Sequence, residues 1–277
     1  LVSSRGLGDV YKRQDLEYQS ILEKELKKRQ EETNSSSATG IIMDPETGEV
    51  LAMATTPGFD NNHFGSTRPE FHRIKSITDQ FEPGSTFKVV STVSALYDGL
   101  ISLNDEFNCE NGSFEYHTKK ITDHESHSML TASQIIHHSS NIGIIKIMDQ
   151  VGQKKLFSMS RDFGFGSKTG INLNGEVSGK LNHYNDWSAV SLGMIAMGHE
   201  VGVTAIQLAS AYCALANGGY LLKPRIVHQI MDESENIIYS EEPVVLRKIA
   251  DESTIKSVRE MLRGVVVKGT GKNADIP

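Results

Sequence analysis

Ser85 and Lys88 stand three residues apart in Glu82-Pro83-Gly84-Ser85-Thr86-Phe87-Lys88, directly ahead of the apolar stretch Val89-Val90-Ser91-Thr92-Val93-Ser94-Ala95-Leu96. A spacing of three puts the hydroxyl and the amine on one face of a helix's first turn. Pro83 and Gly84 stop the preceding chain and let backbone approach closely. A lysine held in a crowded, partly dry position loses its proton near neutral pH and takes one from serine, while the helix N-terminus favours an oxyanion nearby. The chemistry expected is nucleophilic attack by Ser85, with Lys88 as its base.

The four-residue spacing is not unique, since Ser253-Thr254-Ile255-Lys256 repeats it. Ser253 follows Asp251-Glu252 and opens a segment in which apolar residues recur at helical spacing with charges between them. That reads as an amphipathic surface helix, with Ser253 a capping or solvated serine. A serine-lysine pair also needs a group to pass the proton to a leaving amine and another to orient the substrate amide. Ser139-Ser140-Asn141 fits, because it lies between two helical runs, residues 130–138 and 142–148, where short polar side chains can face a cleft. Ser102-Leu103-Asn104 and Ser234-Glu235-Asn236 match the same pattern but sit in polar turns.

The elements that position these groups follow from periodicity. A helical pattern begins at Asp15, with Ile21, Leu22 and Leu26 on one side and charges around it. Residues 39–43 and 49–53 read as two strands joined by the turn Asp44-Pro45-Glu46-Thr47-Gly48. Helical segments dominate from Ser85 to Gly219, and a small second hairpin is expected over residues 220–239.

Together these blocks resemble the transpeptidase domain of class B penicillin-binding proteins, particularly the division-type FtsI group. The resemblance covers residues 15–277. It also rests on Asp44-Pro45-Glu46-Thr47-Gly48 with Pro57-Gly58-Phe59-Asp60, Thr169-Gly170-Ile171 to Gly175-Glu176, and Gly198 through Thr204-Ala205-Ile206-Gln207. Ala216-Asn217-Gly218-Gly219 and Gly269-Thr270-Gly271 complete it, in the family's order. It implies an α+β fold of the penicillin-binding-protein and serine β-lactamase type, with the helical side largely present and the central antiparallel sheet incomplete. The implied activity is peptidoglycan D,D-transpeptidation through a Ser85 acyl-enzyme, without a cofactor. Lys88 is then the base, Ser139 the proton relay and Asn141 the amide-orienting group, with Gly84 and Ser140 on the substrate side. Implied partners are peptidoglycan stem peptides ending in D-Ala-D-Ala, β-lactams, and the glycosyltransferase and membrane proteins of the division or elongation machinery. The implied location is the bacterial inner membrane, with the catalytic domain on the periplasmic or extracytoplasmic face.

One block departs from the family. Its third motif, Lys-Thr-Gly on an edge strand beside the serine, has a literal match in Lys168-Thr169-Gly170. The flanking Phe163-Gly164-Phe165-Gly166-Ser167 and Ile171-Asn172-Leu173-Asn174-Gly175-Glu176 instead resemble the family's internal glycine-rich loop. In the family the true triplet follows soon after the segment that residues 265–274 resemble, so the chain is expected to stop short of it and to be inactive as it stands. Residues 1–14 match nothing in the family, resemble adaptor sequence and are left out of the fold argument. The expected organisation is thus a non-native segment over 1–14 and a partial transpeptidase domain over 15–277. The membrane anchor and pedestal domain of class B enzymes would lie upstream.

Composition limits the alternatives. A net charge of −7 with no concentrated basic face argues against nucleic acid. No apolar run is long enough to cross a bilayer. Cys109 and Cys213 fall in different contexts, and Cys213 reads as a buried free thiol on a helix. Among the ten histidines, His124, His127, His137 and His138 invite a metal reading, but no cysteine or carboxylate set completes a zinc spacing, and no metal is assigned. His137 and His138 are read as lining the turn before Ser139. Competing functions are a serine β-lactamase, for which no deacylating glutamate or modified lysine is assignable, a D,D-carboxypeptidase, and a non-catalytic penicillin-sensing domain.

Overall fold

The computed structural model describes residues 9–12, 14–59, 63, 65, 68–232 and 234–276. In chain order its elements are β1 (Asp9–Lys12), α1 (Leu16–Thr33), β2 (Ala38–Met43), β3 (Val50–Thr56), α2 (Lys75–Thr78), α3 (Lys88–Tyr97) and β4 (Glu106–Asn108). There follow β5 (Ser113–Tyr116), β6 (Lys119–Thr122), β7 (Met129–Thr131), α4 (Ala132–His137), α5 (Asn141–Val151) and α6 (Gln153–Asp162). The last are α7 (Ser191–Ala196), α8 (Ala205–Ala216), β8 (Tyr220–Leu222), β9 (Val227–Met231), β10 (Ile237–Ser240), β11 (Val245–Lys248) and α9 (Glu252–Lys268).

Helix α3 is the axis of the core. Its residues from Lys88 to Ala95 are all buried, as expected of a helix whose apolar character runs round most of its surface. It packs against α5, α6, α7 and α9, and Val90, Ile144, Ile145 and Met148 are fully enclosed. Phe87, also fully enclosed, stacks at 5.1 Å between ring centroids on Phe165. Side chains of this kind contribute about 1.5–3 kcal/mol each on burial. Ser91 and Thr92 inside α3 are tolerated because they find acceptors. Ser91 Oγ donates to the Ala196 carbonyl at 3.1 Å, and Thr92 Oγ1 to the Lys88 carbonyl at 2.8 Å.

The first expected hairpin is present, β2 pairing antiparallel with β3 from Ala38 against Thr56 to Met43 against Val50. Helix α1 lies across it, capped by Asp15, whose side chain accepts from the N–H groups of Glu17 and Tyr18. Leu22 and Leu26 pack over Gly40. Ile21 does not join them; it is 51% exposed. The hairpin turn is held from outside by the buried Arg225–Glu49 ion pair, 2.5 Å long, with Arg225 Nε also donating to the Thr47 carbonyl.

The second expected hairpin is β9 with β10. Two further pairings join it. β11 pairs with β8, and the backbone of β1, inside the segment set aside from the fold argument, pairs antiparallel with β9. The region between α3 and α4, expected to be helical, instead holds the short pairs β4–β7 and β5–β6. These strands are only three or four residues long, too short for a periodicity to announce them.

Candidate active site

Ser85 lies in a tight 3-10 turn, Gly84–Phe87, that leads into α3, rather than in the α-helix itself. Its side chain is exposed, whereas Lys88, the first residue of α3, is 2% exposed. Two contacts hold the turn. Tyr212 on α8 donates its hydroxyl to the Thr86 carbonyl at 3.0 Å, and Gly84 N–H donates to the Gly198 carbonyl at 3.1 Å. Gly198 has φ 85°, and a Cβ placed on it would collide with the Gly84 carbonyl oxygen, so only glycine allows this approach. Ahead of the turn, Glu82 lies 2.8 Å from His199 Nδ1 and accepts the Glu200 N–H at 2.9 Å. The His199 contact and that N–H hold its carboxyl below the usual range.

Ser139 joins α4 to α5. It adopts φ 54°, a left-handed conformation uncommon for a residue with a side chain and characteristic of functional sites. That turn aims its hydroxyl at Ser85, to which it donates at 3.0 Å. Lys88 Nζ donates to three acceptors from this junction: the Ser139 carbonyl at 2.5 Å, Ser139 Oγ at 3.1 Å and Asn141 Oδ1 at 2.8 Å. Hydrogen bonds thus link Lys88 to Ser85 through Ser139. Burial pulls the lysine down to about 8, against the opposing effect of the Asp123 carboxylate.

Asp123, in the turn after β6, is a residue that sequence reasoning missed. One carboxylate oxygen accepts the Asn141 and Ile142 N–H groups, at 2.5 and 3.0 Å; the other accepts the Ser140 hydroxyl at 2.6 Å. It sits on the N-terminus of α5, where negative charge is favoured, and so fixes the turn carrying Ser139. Asn141 is oriented further by donating to the Thr122 carbonyl at 2.9 Å. Ser140 was expected on the substrate side, but it is 2% exposed and serves as the N-cap of α5, accepting the Gly143 N–H at 2.9 Å. Gly84, by contrast, has φ 57° and nothing within 4 Å of where a Cβ would stand, beside the nucleophile. Asp123→Asn is expected to cost about 1–2 kcal/mol of stability in urea unfolding, through the lost charge at the helix end. It should also move the Lys88 titration midpoint below that of the wild type, because the group that raises it is gone.

The two decoys occupy structural positions. Ser253 Oγ donates to Asp251 Oδ1 at 2.6 Å, and Asp251, not Ser253, is the N-cap of α9. Lys168-Thr169-Gly170 is loop rather than strand, and Thr169 N–H and Oγ1 both donate to Glu176 Oε1 at 2.6 Å while Gly170 N–H reaches Glu176 Oε2. Lys168 lines a cavity with Leu221, Leu222 and Arg247. A groove lies between α1, β3 and residues 71–76, and neither Ser85 nor Lys88 lines it. Both cysteines are free; Cys109 is buried and Cys213 half-buried.

Residues 38–277 match the family model of the penicillin binding protein transpeptidase domain. The chain belongs to that family. Stage V sporulation protein D of Bacillus subtilis is 31% identical over 264 residues, which are 94% of this chain and 41% of the relative. Peptidoglycan D,D-transpeptidase FtsI of Escherichia coli is 29% identical over 257 residues, 93% of this chain and 42% of that protein. The chain thus spans about two fifths of the length of these curated relatives. Crystal structures of penicillin binding protein 3 from Mycobacterium tuberculosis, apo and complexed with ampicillin, superpose with a TM-score of 0.91 at 26% identity, covering 100% of this chain and 64% of theirs. The α+β transpeptidase fold is therefore shared, with small sheets and the core built on the helical side.

Proposed function

We propose that this chain is the catalytic part of a serine D,D-transpeptidase that cross-links peptidoglycan stem peptides. The observation that carries the reading is the hydrogen-bonded path from a buried lysine of lowered pKa, through Ser139, to an exposed serine. In this reading Ser85 Oγ attacks the carbonyl carbon of the bond joining the terminal D-alanines. Its proton passes to Ser139 Oγ as the Ser139 proton passes to neutral Lys88. Collapse of the tetrahedral intermediate breaks the C–N bond. The proton returns along the path to the departing D-alanine amine, leaving an ester on Ser85. An acceptor amine from a second strand then attacks that ester, gives its proton to the relay and restores the Ser85 hydroxyl.

Asn141, with Oδ1 held by Lys88, would orient the substrate amide. The Ser85 backbone N–H would supply one oxyanion donor, and the second donor and the carboxylate anchor would come from a Lys-Thr-Gly strand. β-Lactams would acylate the same serine, a reading supported by the ampicillin and aztreonam complexes of the mycobacterial protein. The name of the Escherichia coli relative supports a domain that acts on peptidoglycan; an extracytoplasmic placement beside glycosyltransferase and division or elongation proteins is part of the same proposal. No helix among the described residues is long and apolar enough to cross a membrane.

The test is made on the full-length protein. D-Alanine release from a D-Ala-D-Ala peptide should accelerate with added amine acceptor; release that ignores the amine and runs on water alone would favour a carboxypeptidase. Because the base must be neutral, β-lactam acylation should rise about tenfold from pH 7 to pH 9, through a midpoint near 8. A rate flat across that window rules out Lys88 as the base.

A further inference from the structure

The fold gathers two histidines and a carboxylate beside the Ser139 turn, which the sequence spacing did not disclose. His138 Nδ1 lies 3.2 Å from Glu125 Oε2, and His127 Nε2 lies 3.8 Å from the same oxygen. The two imidazole rings are 4.5 Å apart between centroids, and one ligand atom from each of the three residues falls within 4.8 Å of the others. Glu125 and His127 are two apart in the loop between β6 and β7, while His138 is the C-cap residue of α4.

We propose that Glu125, His127 and His138 form a binding site for a d-block divalent cation of the Zn²⁺ type, with solvent completing the coordination. The donor set, two imidazole nitrogens and one carboxylate oxygen, is one that zinc accepts, and it is poorly suited to the oxygen-seeking Mg²⁺. Zinc bonds of about 2.0–2.1 Å in tetrahedral geometry place neighbouring ligand atoms about 3.3 Å apart. The two nitrogen-to-oxygen separations, 3.2 and 3.8 Å, are close to that and the third is within 4.8 Å; all three side chains retain solvent access through which an ion can enter, at 55, 24 and 29% exposed.

The loop that carries two of the ligands is also fixed independently. Asp123 binds the start of α5, Ser126 Oγ donates to the Asn111 carbonyl at 2.7 Å, and the Ser128 carbonyl accepts the Cys109 N–H at 2.7 Å. Closing the site thus costs little ordering of backbone. A bound cation ties this loop to the residue immediately before Ser139. It acts as a clamp on the second motif and takes no part in the acyl transfer itself.

The experiment is calorimetric titration of the untagged 277-residue chain with ZnCl₂, with MgCl₂ as control. Saturable one-to-one zinc binding is expected, with no magnesium heat and with a rise in melting temperature on zinc addition. His127→Asn and His138→Asn should each weaken binding at least about tenfold, and Glu125→Gln should also weaken it. No saturable zinc binding, or affinity unchanged in the two histidine variants, overturns the proposal. Zinc-edge X-ray absorption of the wild-type chain reads the ligands without any substitution. Two imidazoles with oxygen donors support the site, and any other protein donor set overturns it even where a variant misfolds.

Discussion

Ser85→Ala abolishes covalent labelling of the full-length protein by a fluorescent penicillin, while Ser253→Ala leaves it intact. The two serines share the Ser-x-x-Lys spacing, so the contrast tests environment rather than pattern. Ser85 is exposed in the turn that leads into α3 and receives the Ser139 hydrogen bond. Ser253 spends its hydroxyl on the Asp251 carboxylate, which also caps α9, and has no lysine-serine path behind it. An alanine at 85 leaves no oxygen to form the ester, so the loss should be complete rather than partial. Because the side chain is exposed, the variant should keep its melting temperature. Label that persists on Ser85→Ala, detected by gel fluorescence and located by peptide mass, would move the nucleophile elsewhere.

Lys88→Arg should lower the acylation rate by about 10²–10⁴-fold, the usual worth of a positioned base. The lysine is 2% exposed, and burial has brought it down to about 8, so an appreciable fraction is neutral near physiological pH. A guanidinium keeps its proton throughout that range and cannot accept another. It does retain a charge able to meet Asn141 Oδ1 and the Ser139 carbonyl, which separates the lost base from a lost ion. Stopped-flow acylation together with a thermal melt gives the answer. A rate within a few-fold of wild type, on a folded variant, would mean that another group takes the Ser85 proton.

The parts of this site that local sequence could reveal are those governed by short-range geometry. The Glu-Pro-Gly stop ahead of Ser85, the apolar run behind Lys88, and the polar junction at Ser139-Ser140-Asn141 are all statements about a turn meeting a helix. The β2–β3 hairpin was legible for the same reason, through its two short apolar runs and the Asp-Pro-Glu-Thr-Gly turn between them. The short strands β4 to β7 were not, since three or four residues are too few to carry a period.

What only the tertiary structure decided are the relations between residues far apart in the chain. Lys88 and Ser139 are 51 positions apart, and their hydrogen bond exists because α3 and the α4–α5 junction are packed into one core. That packing routes the lysine to Ser85 through Ser139 and turns Ser140 inward as a helix cap. It brings Asp123 onto the first turn of α5, and Glu125 and His127 beside His138. None of these contacts has a spacing of its own. Side-chain periodicity reports which face of an element is apolar, whereas a hydrogen bond between two elements depends on how those faces dock, and docking is settled by burial of the whole core.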